Sequence, residues 1–279
     1  MTPPPTPPER PPGGGHILAI MARSHQLAFA VPFAAALLVC LFAGAAGAQV
    51  VAPVDESETS PIDAAVDRTA EIPPAATHHM GREIAQTMHY TGAPWLVRES
   101  RQREEDCRLL LEALDIKPGQ TVCDMGCGNG FYTLELARMV GPRGRVYAVD
   151  IQPEMLRMLA ENAAAAGLRN IRPVLGTPID PRLPAGKIDV ALCVDVYHEF
   201  SHPEAMLERI RQSLTPTGRL VLAEFRGEDA AVPIKPLHKM TKAQIRAELE
   251  PAGFEVVREF DRLPWQHLLF LSAREKVGP

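Results

Sequence analysis

The sequence has no surplus of basic residues: 29 Lys and Arg stand against 34 Asp and Glu, a formal net charge of −5. A protein that meets nucleic acid through its overall field needs the opposite balance, so nucleic acid is not an expected partner. There is no cysteine framework either. The five cysteines, at positions 40, 107, 123, 127 and 193, match neither a disulfide scaffold nor a zinc spacing. Cys123 and Cys127 read as small residues in a tight turn, and no metal is expected. A third lack is of periodicity. Over residues 49–76, rich in Pro, Ala, Asp and Glu, neither a helical nor a strand repeat persists, and the stretch reads as a linker. His78-His79 follows it without acidic or cysteine companions and reads as linker-type polarity rather than a metal site.

Residues 2–15 are mostly proline and glycine, which build no packed element. Met21 opens a different texture. Arg23 and His25 give a short positive flank, residues 27–46 are a long apolar run, and Ala46-Gly47-Ala48 closes it with the small-x-small pattern of a signal cleavage site. This predicts a true start at Met21 and cleavage after Ala48. A bilayer span takes about 20 apolar residues, so a membrane tether through residues 27–46 is the competing reading. On either reading the downstream domain is expected to be exported, periplasmic or extracellular, because Arg10 and Arg23 precede the run and no Lys or Arg follows until Arg68. The predicted organisation is a disordered start and signal or anchor over 1–48, a linker over 49–76, and one domain over 77–279.

From Arg82 onward helical and strand signals alternate, the pattern of a three-layer α/β domain with a mostly parallel sheet. Cys107, Leu110, Leu111 and Leu114 fall on one face of a helix that Lys117-Pro118-Gly119 stops. Thr121–Asp124 reads as a buried strand and Phe131–Val140 as the next helix. Arg145–Val149 is a second strand ending at Asp150, and Pro153 and Gly167 bracket another helix. Strands are expected at Ile171–Val174, Ile188–Val194 and Arg219–Ala223. A helix from Pro203 is expected to carry Leu207, Ile210 and Leu214 on one face. Thr241 and Gln244 form a capping box, and Phe254–Phe260 with Gln266–Ala273 gives a final strand pair, seven strands in all.

Between the first strand and its helix lies Asp124-Met125-Gly126-Cys127-Gly128-Asn129-Gly130. Such a turn offers backbone amides at the positive end of a helix dipole, and its glycines permit close ligand approach. A dinucleotide fingerprint needs a glycine at the sixth place, where this chain has Phe131, which disfavours a nicotinamide oxidoreductase. Asp150, twenty positions after Gly130 at a strand end, suits a ribose diol. With its flanking strand, Val122-Cys123-Asp124-Met125-Gly126-Cys127-Gly128-Asn129-Gly130 resembles the first motif of class I S-adenosylmethionine-dependent methyltransferases, small-molecule type, and the likeness runs from about Thr77 to Arg274.

The resemblance implies an αβα sandwich with a seven-stranded, mostly parallel sheet and an antiparallel last strand. It implies S-adenosyl-L-methionine as cofactor and a small-molecule methyl acceptor. The loop from Asp124 to Phe131, with Gly126, Cys127, Gly128 and Gly130, is expected along the cofactor, Asp124 under its methionine part. Asp150 would hold the ribose hydroxyls, Ile151 would lie beside the adenine, and Thr177, or failing it Asp180, would meet the adenine amino group. The reacting end would be Asp195-Val196-Tyr197-His198-Glu199-Phe200, with Asp195 on the cofactor, Tyr197 on the acceptor and His198 as general base, since its ordinary pKa lies near neutrality. No Asn-Pro-Pro-Tyr or Asp-Pro-Pro-Tyr sequence is present, which disfavours an amide or nucleobase amine acceptor. Arg82, Tyr90, Trp95 and Arg98 lie in a segment that in such proteins folds over the cofactor, although Trp95 reads as a packing anchor. Residues 235–239 form a loop suited to substrate contacts. The alternative is a non-catalytic module that binds S-adenosylmethionine or S-adenosylhomocysteine with the same fold. An exported domain makes cofactor supply an open question, and the oligomeric state is not set by the sequence.

Overall fold

A computed structural model of the chain describes residues 72–274. The Met21 start, the apolar run and the Ala48 cleavage site lie outside the described residues. No helix among the described residues is long and apolar enough to cross a membrane.

The described chain opens with a two-residue hairpin, β1 (His78–His79) and β2 (Arg82–Glu83), then a 3-10 helix over Tyr90–Val97, α1 (Arg101–Glu105) and α2 (Cys107–Leu114). His78-His79, read as linker polarity, is therefore a strand. The contacts begin before it: Ala76 N–H donates to the Ser201 carbonyl at 3.1 Å, and His202 Nε2 donates to the Pro73 carbonyl at 3.0 Å.

The sandwich follows: β3 (Thr121–Met125), α3 (Phe131–Val140), β4 (Arg145–Asp150), α4 (Pro153–Ala165), β5 (Ile171–Leu175), β6 (Ile188–Val194), α5 (Pro203–Ser213), β7 (Leu214–Arg226), β8 (Lys239–Met240), α6 (Lys242–Leu249), β9 (Phe254–Phe260) and β10 (Gln266–Ala273). Local chemistry sets the ends. Pro153 occupies the first turn of α4, and the Thr241 hydroxyl with the Gln244 side chain closes a reciprocal capping box on α6. The main sheet runs β5-β4-β3-β6-β7-β10-β9, parallel through β7, with β10 antiparallel to both neighbours and short β8 added beside β7.

Alternate residues of the central strands feed opposite layers. Val122, Val190, Leu192, Val221 and Phe270 pack with α2 and α3, while Cys123, Ala191, Cys193, Leu222 and Leu269 pack with α5 and α6. Each fully buried aliphatic side chain in these layers contributes about 1.5–3 kcal/mol of transfer free energy. Leu214 shows where periodicity and element part company. It buries with Leu207 and Ile210 as expected, but α5 ends at Ser213 and Leu214 begins β7 in extended conformation. The strand thus starts five positions before Arg219, and the register between β6 and β7 shifts between Ile188 and Val190.

This order places the site. The chain moves outward from β3 to β4 and β5, then returns to the other side of β3 as β6. A ligand crevice in such sheets lies beyond the carboxyl ends of the strands where the direction reverses.

Candidate functional site

Beyond β3 the chain turns tightly: Cys127 N–H donates to the Val149 carbonyl and Gly130 N–H to the Cys127 carbonyl. Gly128 holds φ +54°, and a Cβ there would sit 2.5 Å from Leu96 Cδ1. Gly126 has a similar constraint, with Val196 Cγ2 2.4 Å from where its Cβ would be. Asp150 ties the loop to β4. Its Oδ2 accepts from Gly128 N–H at 3.0 Å and its Oδ1 from Gln152 N–H at 2.9 Å. Burial pushes its carboxyl above the usual range, against the pull of those amides.

A cavity of about 530 Å³ opens over this loop, within the range of small-molecule sites. Asp195, just past β6, faces it with φ +52°. Its Oδ2 accepts from Gln266 Nε2 at 2.8 Å, while its buried Oδ1 has no partner among the described residues. Burial, then the charges of Glu105 and Glu224, hold its carboxyl well above the ordinary carboxylate range. Arg101 sits behind, donating to Glu105 and to the Leu96 carbonyl and stacking its guanidinium 4.3 Å from the Phe131 ring centre.

A second cluster lines the same cavity. A short 3-10 turn, Tyr197–Glu199, carries His198 and Glu199, and another, Pro236–His238, carries His238. His198 is 1% exposed. Its Nδ1 lies 2.6 Å from Glu224 Oε2 and its Nε2 lies 3.2 Å from His238 Nδ1. A carboxylate only accepts, so Nδ1 of His198 carries the hydrogen in that contact. Burial alone would lower the pKa of His198, but the charge and hydrogen bond of Glu224 outweigh it and raise it. Burial brings Glu199 up to about 7, against His198 and the Met88 amide. His238, half-buried, is lowered by desolvation and by its neighbours His198 and Lys235.

Beneath this turn lies a buried polar lock. Arg82 donates Nε to Glu248 Oε1 at 2.7 Å and Nη2 to Glu248 Oε2 at 2.9 Å. Its Nη1 donates to the His198 carbonyl at 3.0 Å, and the Tyr197 hydroxyl donates to Glu248 Oε2 at 2.9 Å.

Of the residues singled out in the sequence, Gly126, Gly128, Asp150, Ile151, Thr177, Asp195 and His198 line the cavity together. Five do not. Asp124 is buried below the loop, accepts from the Thr133 hydroxyl at 2.5 Å and is raised to about 6 by burial. Cys127 packs into a small core with Leu156 and Leu159. Gly130 caps α3, and a Cβ there would meet Leu159 Cδ1 at 2.3 Å. Phe131 lies under Arg101. Tyr197 corrects the expectation of an acceptor contact: it is fully buried, with its hydroxyl spent on Glu248. Asp180, the fallback for adenine, closes a turn with Thr177 instead.

Trp95 and Arg98 line the cavity as the segment reading implied, but Arg82 and Tyr90 do not. Trp95 is 50% exposed, with the Arg98 guanidinium 3.8 Å from its ring centre, so it is no core anchor. Lys235 and His238 put the 235–239 loop at the cavity. The sequence placed Glu199 and His238 only within longer stretches, with no role of their own, and did not single out Glu224, Arg101 or Glu105. The one available signal was Glu224 itself, a charge following the apolar run Leu220–Ala223.

A family model described as a methyltransferase domain matches residues 116–262. Among curated relatives, nocamycin O-methyltransferase of Saccharothrix syringae is 37% identical over 115 residues, 41% of this chain and 41% of that protein. A protein-L-isoaspartate O-methyltransferase of Methanothrix thermoacetophila is 31% identical over 117 residues, 41% of this chain and 51% of its own length. The chain thus spans about half or less of these relatives. Among solved structures, an S-adenosylmethionine-dependent methyltransferase from Aquifex aeolicus superposes with a TM-score of 0.63 at 27% identity, covering 66% of this chain and 98% of that one.

Proposed function

The chain belongs to the methyltransferase domain family, with S-adenosylmethionine as its cofactor, and from that premise we propose that it methylates a small-molecule acceptor beside His198, Glu199 and His238. The observation that carries this reading is a single cavity of about 530 Å³ lined both by the glycine loop with Asp150 and by that histidine and carboxylate cluster. The nocamycin relative, whose name specifies O-methyl transfer, supports a small hydroxyl-bearing acceptor.

The residues present fit the cofactor. Gly126 and Gly128 leave a cradle that a Cβ would fill, and Asp195 Oδ1 is a buried carboxylate oxygen with no partner among the described residues, suited to a cationic or amino group. Asp150 would take the ribose hydroxyls, Ile151 and Thr177 the adenine, and Asp195 the amino group. When bound, the cofactor supplies an electrophilic methyl group on a positively charged sulfur.

The chain's own residues then align the acceptor and manage its proton. The acceptor oxygen would be held with a lone pair toward that methyl group, which the cofactor would give up as its neutral thioether. The hydroxyl proton leaves through the His198–His238 pair, and Glu224 stabilises the positive charge on His198. His198 is the residue we place in the base role, with Tyr197 holding its turn through Glu248.

Calorimetric titration of the full chain with S-adenosylmethionine, S-adenosylhomocysteine and NAD tests the reading, followed by labelled methyl transfer into a host metabolite extract. Binding of both sulfur ligands without NAD, with label entering a small molecule, is the expected result. Binding without transfer to any small molecule would favour the non-catalytic module, and no binding of either sulfur ligand would sink both.

A further inference from the structure

The two histidines and the glutamate at the cavity wall have a geometry that proton transfer alone does not require. His198 Nε2, His238 Nδ1 and a Glu199 carboxylate oxygen all lie within 4.8 Å of one another. The two ring nitrogens face each other at 3.2 Å, with the rings nearly perpendicular at 85°. Two imidazole nitrogens on a tetrahedral ion, each about 2.0–2.1 Å from it, would stand about 3.3 Å apart. The gap that one shared hydrogen fills is thus also the edge of such a coordination sphere.

The surroundings point the same way. Glu224 Oε2 takes the Nδ1 hydrogen of His198 at 2.6 Å, which leaves the Nε2 lone pair directed at the cluster. A carboxylate behind the far nitrogen of a liganding histidine is the usual outer partner of a metal centre, fixing the tautomer and raising the basicity of the ring. Two carboxylates, Glu199 and Glu224, therefore surround two imidazoles. Of the nearby cations, Arg82 is neutralised by both oxygens of Glu248, and Lys235 stands on the cavity wall beside His238. All three ligand residues line the cavity, so further coordination positions open onto it.

We infer that His198 Nε2, His238 Nδ1 and Glu199 form a binding site for one divalent transition-metal ion, with Glu224 as the outer partner of His198 and an open position facing the acceptor. Two imidazoles and one carboxylate suit borderline ions such as zinc, cobalt(II) or iron(II) over magnesium or calcium. The inference rests on the methyltransferase reading and deepens it. An acceptor hydroxyl on the ion would lose its proton to water, and the ion would replace His198 in the base role, since the lone pairs of His198 Nε2 and His238 Nδ1 would then be committed to it.

The test uses the full chain stripped with a chelator and titrated with zinc by calorimetry, then with cobalt(II) followed by visible absorption. The expected result is one ion per chain. His238→Ala is expected to weaken it by about tenfold or more, as is Glu224→Gln, the range seen when an outer partner is lost. His238 is half-buried and its ring contacts only His198 among the described hydrogen bonds, so the His238→Ala variant should stay folded, as far-ultraviolet circular dichroism checks. No zinc binding overturns the inference, and so does equal binding by wild type and His238→Ala, which would move the ion elsewhere, for instance to His78-His79. S-adenosylhomocysteine titrated into the same samples separates the two readings. If it binds while zinc does not, only the metal inference fails; if zinc binds and it does not, the methyltransferase reading fails and the ion site stands.

Discussion

Replacing Arg82 by Met tests whether the lock under the His198 turn holds the fold together. The guanidinium is 6% and the Glu248 carboxylate 2% exposed at the side chain, and two hydrogen bonds join them. Removing one partner of such a pair leaves an uncompensated buried charge and costs about 3–5 kcal/mol. For a domain of roughly 150–250 residues each kcal/mol moves Tm by about 2–4 °C, so Arg82→Met should lower it by roughly 6–20 °C. The informative variant is the double replacement, Arg82→Met with Glu248→Met. It removes the stranded charge and leaves the Tyr197 hydroxyl without its acceptor, a cost of about 1–3 kcal/mol. The double variant should therefore be the more stable of the two, and adding Tyr197→Phe should restore more. Urea denaturation of the full chain, followed by circular dichroism, measures all three. A loss below about 1 kcal/mol for Arg82→Met, or a double variant no better than the single one, would refute the reasoning, because a buried pair cannot lose one member at that cost.

Asp195 binds its proton more tightly folded than unfolded, so it costs stability as pH rises above about 3.9, the ordinary aspartate value, and the cost is complete above its raised folded value. Asp195→Asn should be more stable than wild type near pH 8, lose that advantage near about pH 4, and bind S-adenosylhomocysteine more weakly; equal Tm differences at the two pH values would contradict it. Gly128→Ala should lower S-adenosylhomocysteine affinity by at least about tenfold in calorimetry, since its Cβ would lie 2.5 Å from Leu96 and its φ is positive; unchanged affinity would show that the loop is not the cradle. Cleavage after Ala48 from a Met21 start predicts that protein from the native host yields an N-terminal peptide beginning at Gln49, and a peptide beginning at Met1 or Thr2 would refute that cleavage.

The sandwich was legible because its central strands, such as Thr121–Met125 and Ile188–Val194, are short apolar runs, and the helices from Phe131, Pro153 and Lys242 carry a stop or a cap. Ile188–Val194, Phe254–Phe260 and Gln266–Ala273 match their expected bounds residue for residue. Leu214 was misplaced because burial is shared by a helix face and a strand, and periodicity reports burial alone. The hairpin at 78–83 was invisible, its two-residue strands being too short for any repeat. At the site, the glycine loop and Asp150 could be found by counting along the chain, because β3 and β4 are consecutive and adjacent. Glu224 and His238 meet His198 from 26 and 40 positions away, and Glu248 meets Tyr197 from 51, so no local spacing announces them. Tyr197 was misassigned for a related reason: a tyrosine in a motif can face the ligand or the support behind it, and only the position of Glu248 decides.

The carbonyl of His198 accepts from both the Ala85 amide, at 3.2 Å, and the Arg82 guanidinium. The arm that supplies those donors continues through Thr87, Met88, Trp95 and Leu96, which wall the cavity. Any opening made by peeling that arm would strip two hydrogen bonds from the turn that carries His198. Solvent-hydrogen exchange at the single amide of Ala85 would report such peeling, one residue standing as a clock for the arm.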